Sequence, residues 1–151
     1  MKLAEALIER SDLQKRIAQL KHRMGQNVKI QEGEEAAESI DSLLTEYNAA
    51  NKLLMKLVKR INKTNASASF MDEKLIDAIV TRDCLSAKIK AYRELYDAAI
   101  TRQHRYSRTE VKYVSCVDLS WLQKQIDSFS KDYRILDTKL QEVNWNTELL
   151  D

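Results

Sequence analysis

The chain has 151 residues, of which 44% are hydrophobic and 32% charged, and its formal net charge is +2. That length suits one domain burying its own core without metals or disulfides, and the balance is too apolar for a disordered chain and too polar for a membrane-spanning one. A charge this near neutral excludes a global pull toward nucleic acid or anionic lipid, so any such attraction must come from a local patch.

There is no proline, and the two glycines are Gly25 and Gly33, so little in the chain breaks a helix. Leu3, Ala6, Leu13, Ile17, Leu20 and Met24 recur at heptad spacing and predict a first helix over about 2–24, stopped at Gly25. In the second helix one seven-residue series is Ile40, Tyr47, Leu54 and Ile61, and its companion is Leu43, Ala50, Leu57 and Thr64. After a loop at 65–69, Leu75, Ala78, Leu85, Ile89, Tyr92, Tyr96 and Ala99 predict a third helix reaching about residue 105. Asp118 is the expected N-cap of a fourth, carried by Leu119, Ile126, Tyr133 and Leu140 with Leu122, Phe129, Leu136 and Val143. Between the helices of each half, residues 27–31 and 110–117 alternate apolar and polar and read as two short β segments. An isolated strand has no stability of its own, so the two are expected to pair with each other.

Both halves share a pattern. Lys2, Leu3, Ala6, Arg10, Leu13 and Ile17 recur 72 positions later as Lys74, Leu75, Ala78, Arg82, Leu85 and Ile89. In the same way Arg60, Ile61, Asn62 and Asn65 correspond to Lys139, Leu140, Gln141 and Asn144, displaced by 79. The reading is a mainly α chain: two antiparallel long-helix hairpins, coiled-coil-like and related by an internal repeat with units 1–66 and 72–151, forming a single helical domain over 1–151.

A search for chemistry returns little. The chain has no glycine-rich phosphate loop, no Cys-x-x-Cys, no His-Glu-x-x-His and no nucleophile elbow, which argues against an enzyme and against a bound cofactor or metal. His22 and His104 lie beside basic residues that disfavour cation binding, and Cys84 and Cys116 read as free thiols of a reducing cytoplasm. The N-terminal residues lack the apolar run of a signal peptide, which also points to the cytoplasm.

Arg10 and Arg82 occupy heptad positions that call for apolar side chains, so each must find a carboxylate or snorkel, or the two hold an anion together. In helix two, six acids between Glu32 and Glu46 give way to bases, with Lys52, Lys56, Lys59 and Lys63 on one face opposite Leu54, Leu57 and Ile61. The helix dipole favours that order; a basic amphipathic segment over 47–65 is also what a membrane-binding or nucleic-acid-binding helix needs. A second basic stretch is Arg102, Arg105, Arg108 and Lys112, with Tyr106 and Tyr113 interleaved. Trp121 and Trp145 bracket helix four and suit packing or the anchoring of a second subunit, and such long heptads favour a homo-oligomer.

Several stretches carry a family likeness: Lys2-Leu3-Ala4-Glu5-Ala6-Leu7-Ile8-Glu9-Arg10, Asp12 to Ile17, Val28-Lys29-Ile30-Gln31-Glu32-Gly33-Glu34, Arg60-Ile61-Asn62-Lys63-Thr64-Asn65, Gln123-Lys124 and Asn144-Trp145. On these the chain resembles the septicolysin-like family of small bacterial proteins along nearly its whole length. The resemblance implies a bacterial source, and the family name implies a cytolysin; it assigns no active-site or binding residue. The expectation is a non-enzymatic interaction or scaffolding protein that self-associates, with membrane activity through helix two and nucleic-acid binding through the basic patches as the alternatives.

Overall fold

The computed structural model describes residues 1–100 and 111–151. Four helices dominate them: α1 (Leu3–Asn27), α2 (Ile40–Ser67), α3 (Leu75–Ala99) and α4 (Leu119–Asn146). Their lengths are 25, 28, 25 and 28 residues. Helix α3 begins 72 positions after α1, and α4 begins 79 positions after α2, which are the displacements at which the side chains recur. The chain divides into two compact units, Met1–Ser69 with Gln141–Asp151, and Phe70–Leu140.

In the first unit α1 and α2 form an antiparallel hairpin. Arg16 meets Glu46 at 3.6 Å and Arg23 binds Glu38, so positions rise along one helix as they fall along the other. Leu20, Leu43 and Ala50 make a buried cluster, with Ile17, Met24, Ile40 and Tyr47 packed against it. Burying a leucine of this kind stabilises the fold by roughly 1.5–3 kcal/mol before the cost of ordering it. Helix α1 runs two residues past Gly25 because Asn27 folds its side-chain amide back onto the Arg23 carbonyl (2.9 Å) and closes the last turn there. In the connection that follows, Gly33 has φ +89°, a left-handed conformation that favours glycine. The hydroxyl of Ser39 then accepts from the Ser42 amide and starts α2.

The same unit joins the two ends of the chain. The Leu3 amide donates to the Thr147 carbonyl and the Leu149 amide to the Met1 carbonyl, both at 2.9 Å, which makes one antiparallel bridge between Lys2 and Glu148. Lys2 Nζ reaches Glu148 at 2.6 Å, and this bond holds the Glu148 carboxyl below its ordinary pKa despite partial desolvation.

The second unit begins at Phe70, within a hairpin of β1 (Ser69–Phe70) and β2 (Glu73–Lys74). Its two-residue turn holds Met71 at φ +52°, where a side chain is uncommon. Helix α3 follows at once, with Leu75 and Ala78 fully buried and Ile89 nearly so. Asp118 caps α4, its carboxylate accepting from the amides of Ser120 (2.9 Å) and Trp121 (3.2 Å). The two helices run antiparallel: Arg82 lies 3.5 Å from Asp137, and the Tyr92 and Phe129 rings meet edge to face with centroids 5.2 Å apart.

The strands fall elsewhere than the alternation predicts. Asn27 is helical, residues 28–31 and 111–117 form no ladder, and Glu110 lies outside the described residues. Val28 and Ile30 are 64% and 56% exposed; Val111, Tyr113 and Val114 are 80–90% exposed. An alternating run becomes a strand only where another backbone edge is offered to it. Here those edges arise at the helix ends, where residues after α2 meet residues before α3 and residues after α4 meet residues before α1.

Candidate functional site

The two arginines on the heptad seams have different surroundings. Arg82 gives Nε (3.0 Å) and Nη2 (2.7 Å) to the Asp83 carboxylate and faces Asp137. Partial burial works against its charge, but the bond to Asp83 and the fields of Asp83 and Asp137 outweigh it and raise its pKa. Arg10 is half-buried, and its Nε is closed off from solvent without a hydrogen-bond partner among the described residues. They belong to different units.

The lysine row of α2 is exposed, but its last member is engaged. Lys63 Nζ donates to the Asp151 main-chain oxygen at 2.5 Å, while Arg60 donates to the Leu150 carbonyl (3.0 Å) and to the Asp151 carboxylate (2.7 Å). Thr64, only 1% exposed, donates its hydroxyl to the Arg60 carbonyl (2.8 Å) and accepts the Leu150 amide (3.0 Å). The run Arg60-Ile61-Asn62-Lys63-Thr64 is therefore a latch for residues 150–151. Its sequence signal is a threonine in the heptad slot that Leu43, Ala50 and Leu57 occupy before it. Lys52, Lys56 and Lys59 remain at the surface.

Arg102, Arg105 and Arg108 lie outside the described residues, as does His104; Lys112 is exposed. Trp121 and Trp145 are 49% and 52% exposed, Cys84 and Cys116 are exposed free thiols, and His22 is at the surface. Among the described residues no cluster of histidine, cysteine and acidic side chains is placed to hold a metal ion, and no helix is long and apolar enough to cross a membrane. An open groove of about 460 Å³ runs between α3 and α4, lined by Lys90, Arg93, Glu94, Ser130, Tyr133 and Arg134 among others.

The most unusual surface is the outer side of α3. Ile76, Val80, Cys84, Ala87, Ala91, Leu95 and Ala98 follow one another at intervals of three or four residues, so they share one side of the helix. All are exposed, with Ile76 at 41%, Val80 at 55% and Leu95 at 50%. Leu75, Ala78 and Ile89 point the opposite way and are buried. Thus α3 is apolar on two opposite faces, and only one of them is covered. Asp83 and Lys90 border one edge of the open face, and Glu94 lies within its line, 3.8 Å from Lys90. Lys88 is turned away: its ammonium sits 4.0 Å from the Phe129 ring centroid.

No curated protein matches the chain. A crystal structure described as a functionally unknown conserved protein from Corynebacterium diphtheriae is similar to it at 40% identity over 99% of each chain, with a TM-score of 0.85. The family described as a family of unknown function (DUF6847) matches residues 10–149, and this chain belongs to that family.

Proposed function

We propose that this is a non-enzymatic helical interaction protein that works by self-association, in a scaffolding role. The observation that carries the reading is the second apolar face of α3. A helix that buries one face needs no apolar residues on the other, and a continuous apolar stripe left in water is the usual mark of a contact surface. The exposed thiols of Cys84 and Cys116 suit a reducing cytoplasm as its setting.

The cytolysin implied by the septicolysin resemblance would require α2 to turn its apolar side to lipid. That side includes Leu57 and Ile61, 6% and 1% exposed, and freeing them would also break the Lys63 contact with Asp151. The membrane reading thus starts from a cost that the interaction reading does not carry.

Light scattering and native mass spectrometry over a concentration series test the proposal. The expected result is a concentration-dependent oligomer. A monomer at every concentration up to the solubility limit overturns it.

A further inference from the structure

The outer face of α3 has a shape and a charge order that select its occupant. From Ile76 to Ala98 the stripe extends ~33 Å at the rise of an α-helix. Small residues (Cys84, Ala87, Ala91) hold its middle, which permits close approach of another helix, and its charged edge carries Asp83 and Lys90 seven residues apart. We infer that the occupant is a second copy of this chain, whose α3 lies antiparallel against the first; the inference rests on the self-association proposed above.

Charge complementarity sets the register. In an antiparallel pair of heptad helices, like edges face each other. One register sets Asp83 of each copy across from Lys90 of the other, and in it Val80 packs with Ala91 of the second copy and Cys84 with Ala87 of the second copy. Sliding the helices by a heptad either way brings Asp83 against Asp83, or Lys90 against Lys90. A parallel pairing would need Lys88 as the partner for Asp83, but Lys88 is held over the Phe129 ring. Asp83 and Lys90 each have a neighbour on their own helix, Arg82 and Glu94, but their side chains stay 62% and 78% exposed and within reach of a second copy. The same register faces Asp77 with Glu94 of the second copy at each end, so the native dimer is weakened by two like-charge contacts.

Disulfide trapping tests the geometry, and a variant that strengthens the dimer guards against misfolding as an explanation. In full-length protein carrying Cys84→Ser and Cys116→Ser, Val80→Cys and Ala91→Cys are made singly and together, and oxidised mildly. Within one helix these positions are ~16 Å apart and cannot close on each other. The expected result is a covalent dimer from the double variant and none from either single one. Separately, Glu94→Gln is expected to tighten dimerisation about fivefold, since two unfavourable contacts are removed. Trapping by the single variants means a parallel pair and overturns the inference. An oligomer that forms but is trapped by none of the three, or whose affinity Glu94→Gln leaves unchanged, overturns the α3 surface while leaving self-association intact. A monomer throughout overturns both.

Discussion

Helices α1 and α3 have the same length and the same place in their hairpins, yet their outer faces differ. At a displacement of 72, Val80 corresponds to Ile8, and both are 55% exposed. Beyond that point Cys84, Ala87, Ala91, Leu95 and Ala98 correspond to Asp12, Lys15, Gln19, Arg23 and Gln26. In α1 this side is an ordinary polar one: Lys15 pairs with Asp12 at 3.3 Å, and Arg23 with Glu38, just ahead of α2. A hairpin of this build therefore folds with a polar outer face. Nothing in the internal packing of α3 asks for an apolar one, and the face is left exposed.

The comparison can be broken at the positions where the helices are alike. Leu3 and Leu75 both open their helices at 0% exposure. Leu3→Ala and Leu75→Ala should each cost about 2–5 kcal/mol in urea unfolding, and by similar amounts. A gap between them wider than that range would show that the hairpins are not equivalent in energy.

Thr64→Val sharpens the comparison in the first unit, where the latch on residues 150–151 resides. It removes the acceptor of the part-buried Leu150 amide, and the expected loss is about 1 kcal/mol. Faster hydrogen exchange at the Leu150 amide would locate the loss, and unchanged exchange there would refute the latch. In the second unit Asp118→Ala strips the N-cap of α4 and should cost about 1 kcal/mol, read by thermal unfolding.

The smallest effect is the pH dependence of the Arg23–Glu38 pair. The hydrogen bond from Arg23, helped by its charge, holds the Glu38 carboxyl below its ordinary pKa against the opposing effect of desolvation. The unfolded chain therefore binds that proton more readily, so the contribution is present above the ordinary carboxylate pKa and is lost as pH falls through the lowered folded value. Glu38→Gln should be less stable than the native protein at neutral pH, and the difference should vanish in acid; a difference that persists there would mean the pair acts through packing instead.

Much of the fold was legible because helices are local. Heptad spacing located four helices, Asp118 announced its cap, and positions such as Leu43, Leu57, Ile61, Leu122 and Leu140 were readable as core. The strands were not. A two-residue strand such as Ser69–Phe70 leaves no periodic trace, and the alternating bends Val28–Gln31 and Val111–Val114 looked like strands without an edge to join. The candidate surface was missed for a related reason. A heptad search stops at the first apolar face it finds, and in α3 the seam of Leu75, Ala78 and Ile89 hid the second one.

By itself, then, the sequence determined which segments are helical and which of their sides are apolar, because both depend on residues within a few turns of one another. Only the tertiary structure decided which apolar side is covered, that Thr64 and Arg60 hold residues 150–151, and that Lys2 pairs with Glu148. Those outcomes join residues 86 to 146 positions apart, and no local pattern records which distant backbone or side chain will arrive there.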